Sequence, residues 1–353
     1  MRALTVAPGR ADSLSVTDMP EPELGAGDLL VDGLCIGVCG TDHEIASGKY
    51  GWAPPGQDRL VIGHESLGRV RAAPTGSGFS AGDLVVGVVR RPDPEPCGAC
   101  ARGQFDMCRN GRYTERGIKE IHGYASEQWR VETDYAVRLD GHLEDVGMLL
   151  EPTSVVAKAW DQIERVGSRS WFEPRTALVT GAGPIGLLAA LLGVQRNLEV
   201  HVLDRVTDGP KPDLVRDLGA TYHHADISDV VDEIVPDVVV EATGAGPVIF
   251  GSIQGTGGYG IVCLTGVSSG GHSIAIDAGR LNRDMVLEND VVVGSVNANL
   301  DHYRSAADAL ARADVDWLRR LVSRRVALGD FANAFTRHDD DVKVVITLGG
   351  EQS

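Results

Sequence analysis

The stretch TALVTGAGPIGLLAALLGVQRNLEVHVLD, residues 176–204, decides the fold of this chain. It begins with an apolar, β-branched run and passes through a glycine-rich turn into an apolar helical segment. A second apolar run follows and is closed by Asp204. A strand, glycine turn, helix, strand and terminal acid within about 30 residues form the pattern of a dinucleotide-binding βαβ unit.

Each position of the glycine turn has a distinct physical task. Gly181 allows the tight turn, Gly183 lets the backbone approach a pyrophosphate, and Gly186 lets the helix pack closely on the strand. The helix begins at Pro184 and Ile185, where unpaired N–H groups and the positive end of the helix dipole face the phosphates. We therefore predict that these five residues bind the cofactor.

The end of the second strand indicates which dinucleotide is bound. Asp204 can accept hydrogen bonds from the ribose hydroxyls of NAD and would repel the 2′-phosphate of NADP. Arg205 could stack on adenine or offset that repulsion, so NADP stays an alternative. Further apolar strands, residues 238–244 and 260–266, end in glycine-rich loops, and Thr243 lies near the first of these ends. We expect the nicotinamide half of the cofactor at these loops.

Length and composition restrict the class of protein. A chain of 353 residues exceeds one typical hydrophobic core, so two domains are expected. The formal net charge of −17 argues against a nucleic-acid partner, since a phosphate backbone would be repelled. No apolar run reaches the ~18 residues that span a membrane, and the first residues lack the apolar core of a signal peptide. We expect a cytoplasmic protein with no membrane partner.

Cysteines and a histidine point to metal chemistry. Cys35 and Cys263 lie among apolar residues and are expected in the core. Cys39 instead follows one predicted strand, and His64 lies at the end of another. A thiolate with a neutral imidazole is a ligand pair that Zn²⁺ prefers. From spacing alone, a buried cysteine and an unrelated histidine are an equally good interpretation.

Several motifs resemble the zinc-dependent medium-chain alcohol dehydrogenases: CGTDHE at residues 39–44, GHE at 63–65 and GAGPIG at 181–186. The resemblance implies that Cys39 and His64 bind a catalytic zinc, with Glu65 beside the metal and able to enter its shell. It also implies that Thr41 hydrogen-bonds the substrate hydroxyl and passes its proton outward. Many relatives carry a relay histidine where this chain has Glu44, and His43 comes one place earlier.

A second cysteine group, Cys97-x2-Cys100-x7-Cys108, lies in a segment rich in Pro and Gly that has too few apolar residues for a core of its own. A structural zinc would hold such a lobe together. Relatives with this lobe have four cysteines, and the first of them falls on Pro94 here. Asp93 or Glu95 is expected as the fourth ligand; a lobe without metal is the alternative.

Within the family, ERGI (115–118), HGY (122–124) and VGSVNAN (293–299) resemble the glucose dehydrogenase branch. This resemblance implies that Glu115 binds sugar hydroxyls and that Asn297 faces cofactor and sugar. Charged side chains suit a polyol, because each buried hydroxyl needs a hydrogen-bond partner. Arg90, His122 and His302 are weaker candidates, and His302 is expected at the surface.

Glu151 precedes Pro152 at the start of an amphipathic helix. A carboxylate is stabilised there by the helix dipole, which is sufficient structural reason for it. The resemblance implies a further role, because the sugar branch supplies a carboxylate at this place near the catalytic zinc and the substrate.

We therefore predict an α/β protein in which a β-rich catalytic domain, residues 1–153 with 300–353, carries an inserted Rossmann parallel-sheet domain, residues 154–299. A strand at 342–348 should join the N-terminal sheet. The predicted function is zinc-dependent oxidation of an aldose, D-glucose first, to its aldonolactone with hydride transfer to NAD, in a homodimer or homotetramer. The alternatives are a polyol or secondary-alcohol dehydrogenase, and a catalytically silent nucleotide-binding sensor or scaffold.

Overall fold

The structure is a computed structural model and describes residues 1–268, 270–271 and 273–349. The chain forms two compact units. The first comprises Met1–Ser154 and Ala298–Ser353, and the second comprises Val155–Asn297.

The strands of the described residues are β1 (Arg2–Val6), β2 (Ser15–Asp18), β3 (Asp28–Val38), β4 (Leu60–Val61), β5 (Glu65–Ala72), β6 (Leu84–Gly87), β7 (Arg90–Arg91), β8 (Thr114–Arg116), β9 (Glu120–Ile121), β10 (Gln128–Glu132), β11 (Ala136–Leu139), β12 (Thr176–Thr180), β13 (Glu199–Leu203), β14 (Thr221–His223), β15 (Val238–Glu241), β16 (Ile261–Leu264), β17 (Val291–Gly294), β18 (Val322–Ala327) and β19 (Lys343–Thr347).

The α-helices of the same residues are α1 (Gly40–Ala46), α2 (Leu150–Gly167), α3 (Pro184–Val194), α4 (Pro210–Asp217), α5 (Ile227–Ile234), α6 (Gly246–Gln254), α7 (Ala278–Glu288), α8 (Leu300–Ala311), α9 (Val315–Leu321) and α10 (Phe331–Ala334). Short 3₁₀ turns connect several of these elements.

The first unit is built around β3, a long strand with buried residues along most of its length. It lies in a mostly antiparallel sheet of order β11-β6-β5-β3-β19-β18, and β10 also pairs with it. Strand β19 comes from the far end of the chain and pairs antiparallel with β3, with Val344 opposite Val38. The expected addition of this C-terminal strand to the N-terminal sheet is confirmed.

The second unit is a parallel sheet of order β14-β13-β12-β15-β16-β17. Its central strands β12 and β15 are buried at every residue except the first of β12, as expected when helices cover both faces. Helix α3 is apolar on all sides and buried from Gly186 to Gly193. The strand order reverses between β12 and β15, which is where such sheets bind nucleotides. The predicted α/β class with a Rossmann sheet is confirmed.

In the part of the chain that the structure describes, none of the helices combines the length and the apolar character needed to cross a lipid bilayer.

Candidate active site

Cys39 and His64 meet because they lie at adjacent ends of two paired strands. Cys39 follows the last residue of β3, and His64 directly precedes β5. These strands pair antiparallel with Gly37 opposite Glu65, so the residues beyond the paired ends face one another. The Sγ atom of Cys39 lies 2.9 Å from Nε2 of His64.

Asp42, which was not among the predicted site residues, fixes this pair. Its Oδ2 accepts a hydrogen bond from the backbone N–H of Cys39 at 3.0 Å, and its Oδ1 lies 3.5 Å from Nδ1 of His64. Burial alone would lower the pKa of His64, but the Cys39 thiol and the Asp42 carboxylate hold that pKa well above its usual value. The surroundings of the ring therefore stabilise a positive charge there, whether that of a proton or that of a bound metal ion.

Glu65 is buried and forms an ion pair with Lys343 of β19. The Lys343 ammonium lies 2.7 Å from each carboxylate oxygen and also donates to the carbonyl of Val38. The carboxylate reaches across β3 over Gly37, where a Cβ atom would lie 2.0 Å from Glu65 Oε2. Lys343 was not among the predicted site residues. A single charged residue in the apolar strand KVVIT was the available signal, because a buried charge needs a partner.

Glu151 lies in the first turn of α2, close enough to this group to interact with it electrostatically. Burial raises the pKa of its carboxyl to about 7; the charges of His64 and Lys343 oppose this rise, and the Glu65 carboxylate adds to it. Its carboxylate is not part of the cluster in which the ligand atoms of Cys39, His64 and Glu65 lie within 4.8 Å of one another.

The Cys39–His64–Glu65 cluster fits a divalent cation. It offers a thiol, an imidazole and a carboxylate, which are the donor types of a catalytic zinc site with three protein ligands. Asp42 Oδ1 and His64 Nδ1 have no hydrogen-bond partner within the described residues, apart from their own 3.5 Å approach. A carboxylate behind a histidine ligand in this way orients the ring and raises its basicity.

The remaining residues of the CGTDHE motif lie on α1. Thr41 is partly buried in its first turn, and His43 packs its ring edge against Phe335 at 5.2 Å between ring centroids. Glu44 is exposed. His43 therefore packs against an aromatic ring from outside the motif.

The three lobe cysteines come together. The Sγ atoms of Cys97, Cys100 and Cys108 lie within 4.8 Å of one another, and neither candidate carboxylate belongs to that cluster. Asp93 is buried; it accepts from the backbone N–H of Glu95 at 2.8 Å and pairs with Arg112 at 3.3 Å. Glu95 is exposed and also pairs with Arg112, at 2.8 Å. Of the two carboxylates, only that of Asp93 is buried within the lobe.

Glu115 lies on β8 and is buried against Arg90 of β7. The Arg90 guanidinium donates to Glu115 Oε1 from Nε at 3.1 Å and from Nη2 at 2.9 Å. The same guanidinium stacks over the Tyr113 ring at 3.7 Å and donates to the carbonyl of Asp106. Arg90 therefore orients Glu115, since a planar guanidinium fixes its carboxylate partner.

The two weaker histidine candidates have structural partners. His122 accepts from the backbone N–H of Val61 at 3.1 Å and lies 2.8 Å from Gln57 Oε1. His302, expected at the surface, is buried, and that expectation was wrong. Its Nδ1 accepts from the backbone N–H of Asn299, which caps α8 and bonds the buried carboxylate of Asp106 at 2.9 Å. The hydrogen bond from Asn299 to Asp106 therefore holds the first turn of α8 in the interior.

In the second unit, the glycine turn has the geometry that its sequence requires. Gly181 adopts φ +92°, which side-chain-bearing residues rarely adopt. A Cβ at Gly186 would lie 1.7 Å from the carbonyl oxygen of Gly181, so only glycine permits this approach. A Cβ at Gly183 would meet nothing within 4 Å, which leaves open space at the N-terminus of α3. Pro184 and Ile185 begin that helix.

Asp204 follows β13 and faces the same turn. Its carboxylate accepts from the backbone N–H of Ala182 at 2.5 Å and from that of Val206 at 3.2 Å. Arg205 and Thr243 are exposed. Asn297 adopts φ +60°, and the carbonyl before it, that of Val296, accepts from the buried ammonium of Lys158 at 2.9 Å.

Comparisons with known proteins agree with this arrangement. Residues 25–141 match the alcohol dehydrogenase GroES-like domain, and residues 144–348 match the glucose dehydrogenase C-terminus. Among curated relatives, glucose 1-dehydrogenase of Methanocella arvoryzae is 41% identical over 99% of this chain and 100% of its own. The corresponding enzyme of Thermoproteus tenax is 39% identical over 99% of both chains.

A solved structure of Haloferax mediterranei glucose dehydrogenase in complex with NADP, Zn and gluconolactone superposes with a TM-score of 0.91. It is 35% identical and covers 99% of this chain and 100% of its own. The chain belongs to the zinc-dependent medium-chain alcohol dehydrogenase family, in its glucose dehydrogenase branch.

Proposed function

We propose that this chain is an NAD(P)-dependent zinc dehydrogenase that oxidises an aldose to its aldonolactone, with D-glucose as the favoured substrate. The observation that carries the proposal is the convergence of Cys39, His64 and Glu65 in a member of this branch. Glucose 1-dehydrogenases are its curated relatives, and the similar Haloferax enzyme was solved with NADP, Zn and gluconolactone. The reaction removes a proton and a hydride from the anomeric CH–OH group.

Cys39 and His64 would hold the zinc ion, with Glu65 and Glu151 as the further carboxylates. A bound zinc supplies Lewis acidity, which lowers the pKa of a substrate hydroxyl. Asp42 holds the His64 ring, because its carboxylate faces the ring nitrogen opposite the thiol. The Lys343 ammonium offsets the negative charge of the Glu65 carboxylate and holds that carboxylate against β3.

Thr41 takes up the hydroxyl proton of the sugar and passes it outward. Its place in the first turn of α1, two residues after Cys39, supports this role. Hydride then leaves C1 of the sugar for C4 of the nicotinamide. Glu115, held by Arg90, binds sugar hydroxyls, for which charge-assisted hydrogen bonds give the largest gain. Asn297 is proposed separately, as a residue that the family resemblance assigns to cofactor and sugar.

The dinucleotide binds at the carboxyl ends of the strands of the second unit. Gly181, Gly183 and Gly186 admit the pyrophosphate, with Pro184 and Ile185 at the helix N-terminus. Asp204 and Arg205 receive the adenosine ribose, and Thr243 lies toward the nicotinamide half. We propose NAD as the preferred form because of Asp204, with NADP, which is bound in the solved Haloferax structure, as the alternative.

The assay for this function follows reduced cofactor while aldoses, polyols and secondary alcohols are offered with NAD and with NADP. D-Glucose oxidation to a lactone supports the proposal; turnover of a polyol alone assigns the polyol alternative.

Cys39→Ala should abolish turnover and remove one zinc while NADH still binds. Wild-type rates in that variant would refute the zinc mechanism, and absence of turnover and zinc in the wild type would support the sensor alternative. Cys263→Ala, a substitution in the core of the other unit, is the matched control.

The lobe with Cys97, Cys100 and Cys108 is proposed to hold a structural zinc, with Asp93 rather than Glu95 as the fourth ligand. Three clustered thiols and a buried carboxylate support this assignment. Cys108→Ser should lower the zinc content by one per chain and lower the melting temperature, whereas Glu95→Gln should leave both unchanged. An unaltered zinc content in Cys108→Ser favours a lobe without metal.

We also propose that the protein forms a homodimer or homotetramer through the second unit. Strand β17 is the edge of its sheet and is apolar but incompletely buried. Val286, Leu287 and Val267 are highly exposed, and exposed apolar surface of this kind is typical of an interface. Leu287→Lys should shift the mass measured by light scattering toward the monomer. The cytoplasmic location and the absence of nucleic-acid and membrane partners stay predictions.

A further inference from the structure

Glu241 is a buried carboxylate that was not among the predicted site residues. It is the last residue of β15, and none of its surface is accessible to solvent. Buried carboxylates are costly unless they are fully hydrogen-bonded or paired with a cation. Its location, at the end of an otherwise apolar strand, places it beside the point where the strand order of the sheet reverses.

Neutral groups satisfy this carboxylate. Its Oε1 accepts from the backbone N–H of Thr243 at 2.8 Å, from the Thr243 hydroxyl, from the N–H of Gly244 at 3.1 Å and from the Thr180 hydroxyl at 3.3 Å. Its Oε2 accepts from the same Gly244 N–H at 3.2 Å. Within the described residues, each of these donors is a hydroxyl or a backbone N–H.

The donors come from both sides of the reversal point. Thr180 ends β12, the strand that leads into the glycine turn, whereas Thr243 and Gly244 form the turn after β15. The backbone carbonyl of Glu241 also accepts from Thr265, beyond β16. One residue thus connects the carboxyl ends of three adjacent parallel strands.

The turn held in this way borders the glycine turn. A Cβ at Gly181 would lie 3.1 Å from Cγ2 of Thr243. Thr243 itself is exposed although its N–H and hydroxyl are held from beneath by the buried carboxylate. Its side chain is therefore presented to solvent in a fixed orientation at the edge where a dinucleotide binds.

We infer that Glu241 is a positioning residue for the nicotinamide cofactor, acting through Thr243 and Gly244. This inference rests on the proposed dehydrogenase function and deepens it. The acceptor atom Oε1 carries the effect, because nearly all of the donors converge on it. Removing that acceptor releases the turn and weakens dinucleotide binding, and it leaves the zinc cluster of the other unit unchanged.

The experiment measures the Kd for NADH and NADPH by fluorescence, without sugar, for the wild type, Glu241→Leu and Glu241→Gln. Glu241→Leu should weaken binding of the preferred dinucleotide about 10- to 100-fold, since small misplacements of a binding group cost this much. Glu241→Gln keeps an acceptor at the Oε1 position and should bind within about threefold of the wild type. Zinc content, and the sugar KM at saturating cofactor, should stay unchanged in both variants.

Thr243→Val and Thr243→Ser form a second pair that keeps the buried carboxylate; the valine removes only the hydroxyl donor, and the serine retains it. The valine variant should weaken dinucleotide binding and the serine variant should retain it, so the inference stays testable where Glu241→Leu does not fold. Wild-type affinity in Glu241→Leu or in Thr243→Val overturns the inference, as does an equal loss in Glu241→Gln and Glu241→Leu. A wild-type protein that binds neither dinucleotide refutes the proposed function instead.

Discussion

The Lys343 ammonium lies 2.7 Å from both carboxylate oxygens of Glu65, and both side chains are buried beside the Cys39–His64 pair. Their strands, β19 and β5, lie on opposite sides of β3, and the ion pair crosses that strand over Gly37. The contact joins a residue near the end of the chain to the first residue after His64.

Lys343→Met should lower the free energy of unfolding by about 3–5 kcal/mol, because it leaves the Glu65 carboxylate buried without its cation. Urea denaturation measures this loss. The double variant Lys343→Met with Glu65→Gln should recover much of it, since no uncompensated charge then remains. Lys49→Met, at an exposed position, is the control. Equal stability of Lys343→Met and wild type would show that the pair contributes nothing.

Asp42→Asn should reduce zinc affinity or turnover about 10- to 100-fold, the usual effect of losing a carboxylate that orients a metal-bound histidine. The amide keeps the shape and can still accept from the Cys39 N–H, so the fold should persist. Zinc titration with a competing chelator and steady-state kinetics measure the effect. Unchanged metal affinity together with unchanged turnover would contradict it.

Asp204→Ser should relax the preference for NAD over NADP by roughly tenfold, because it removes a charged acceptor for the ribose hydroxyls and the repulsion of a 2′-phosphate. The ratio of kcat/KM for the two cofactors measures the change. Asp208→Ser, at an exposed position four residues later, should leave that ratio unaltered. A wild type that already prefers NADP would contradict this prediction. It would show that the Asp204 carboxylate only accepts hydrogen bonds from the backbone N–H groups of Ala182 and Val206 and does not select the ribose.

Asp290, next to β17, should make stability depend on pH. Burial raises the pKa of its carboxyl from 3.8 to about 6, so the ionised form costs stability above pH 6. Below about pH 3.8 the group is protonated in both the folded and unfolded chain and this cost disappears. Asp290→Asn keeps an acceptor for the N–H of Gly260 and should stabilise the protein at pH 7.5 by on the order of 1 kcal/mol, after solvent screening.

Urea denaturation between pH 4 and pH 8 tests this expectation. The difference between Asp290→Asn and wild type should grow between about pH 4 and pH 6 and stay constant above pH 6, whereas Asp208→Asn should show no such trend. A constant difference across this range would mean that the carboxyl is not perturbed.

Local rules determined a large part of the fold and of the candidate site. The glycine turn at residues 181–186 was predictable because backbone sterics at Gly181 and Gly186 act over a few residues. Alternation of apolar residues predicted the strand at the C-terminal end. The chemistry of a thiol and an imidazole allowed a zinc site to be proposed, and the resemblance of short motifs to a known family selected Cys39 and His64 from the other candidates.

Other features depend on which strands become neighbours. Lys343 pairs with Glu65, Arg90 with Glu115, and Asn299 with Asp106 across separations that no local pattern encodes. His302 was expected at the surface because the start of a helix usually lies there. It is buried because Asn299, which caps the helix, donates a hydrogen bond to the buried carboxylate of Asp106. Sequence periodicity specifies which residues are buried, whereas the sheet order and register of the folded chain decide which buried charges meet.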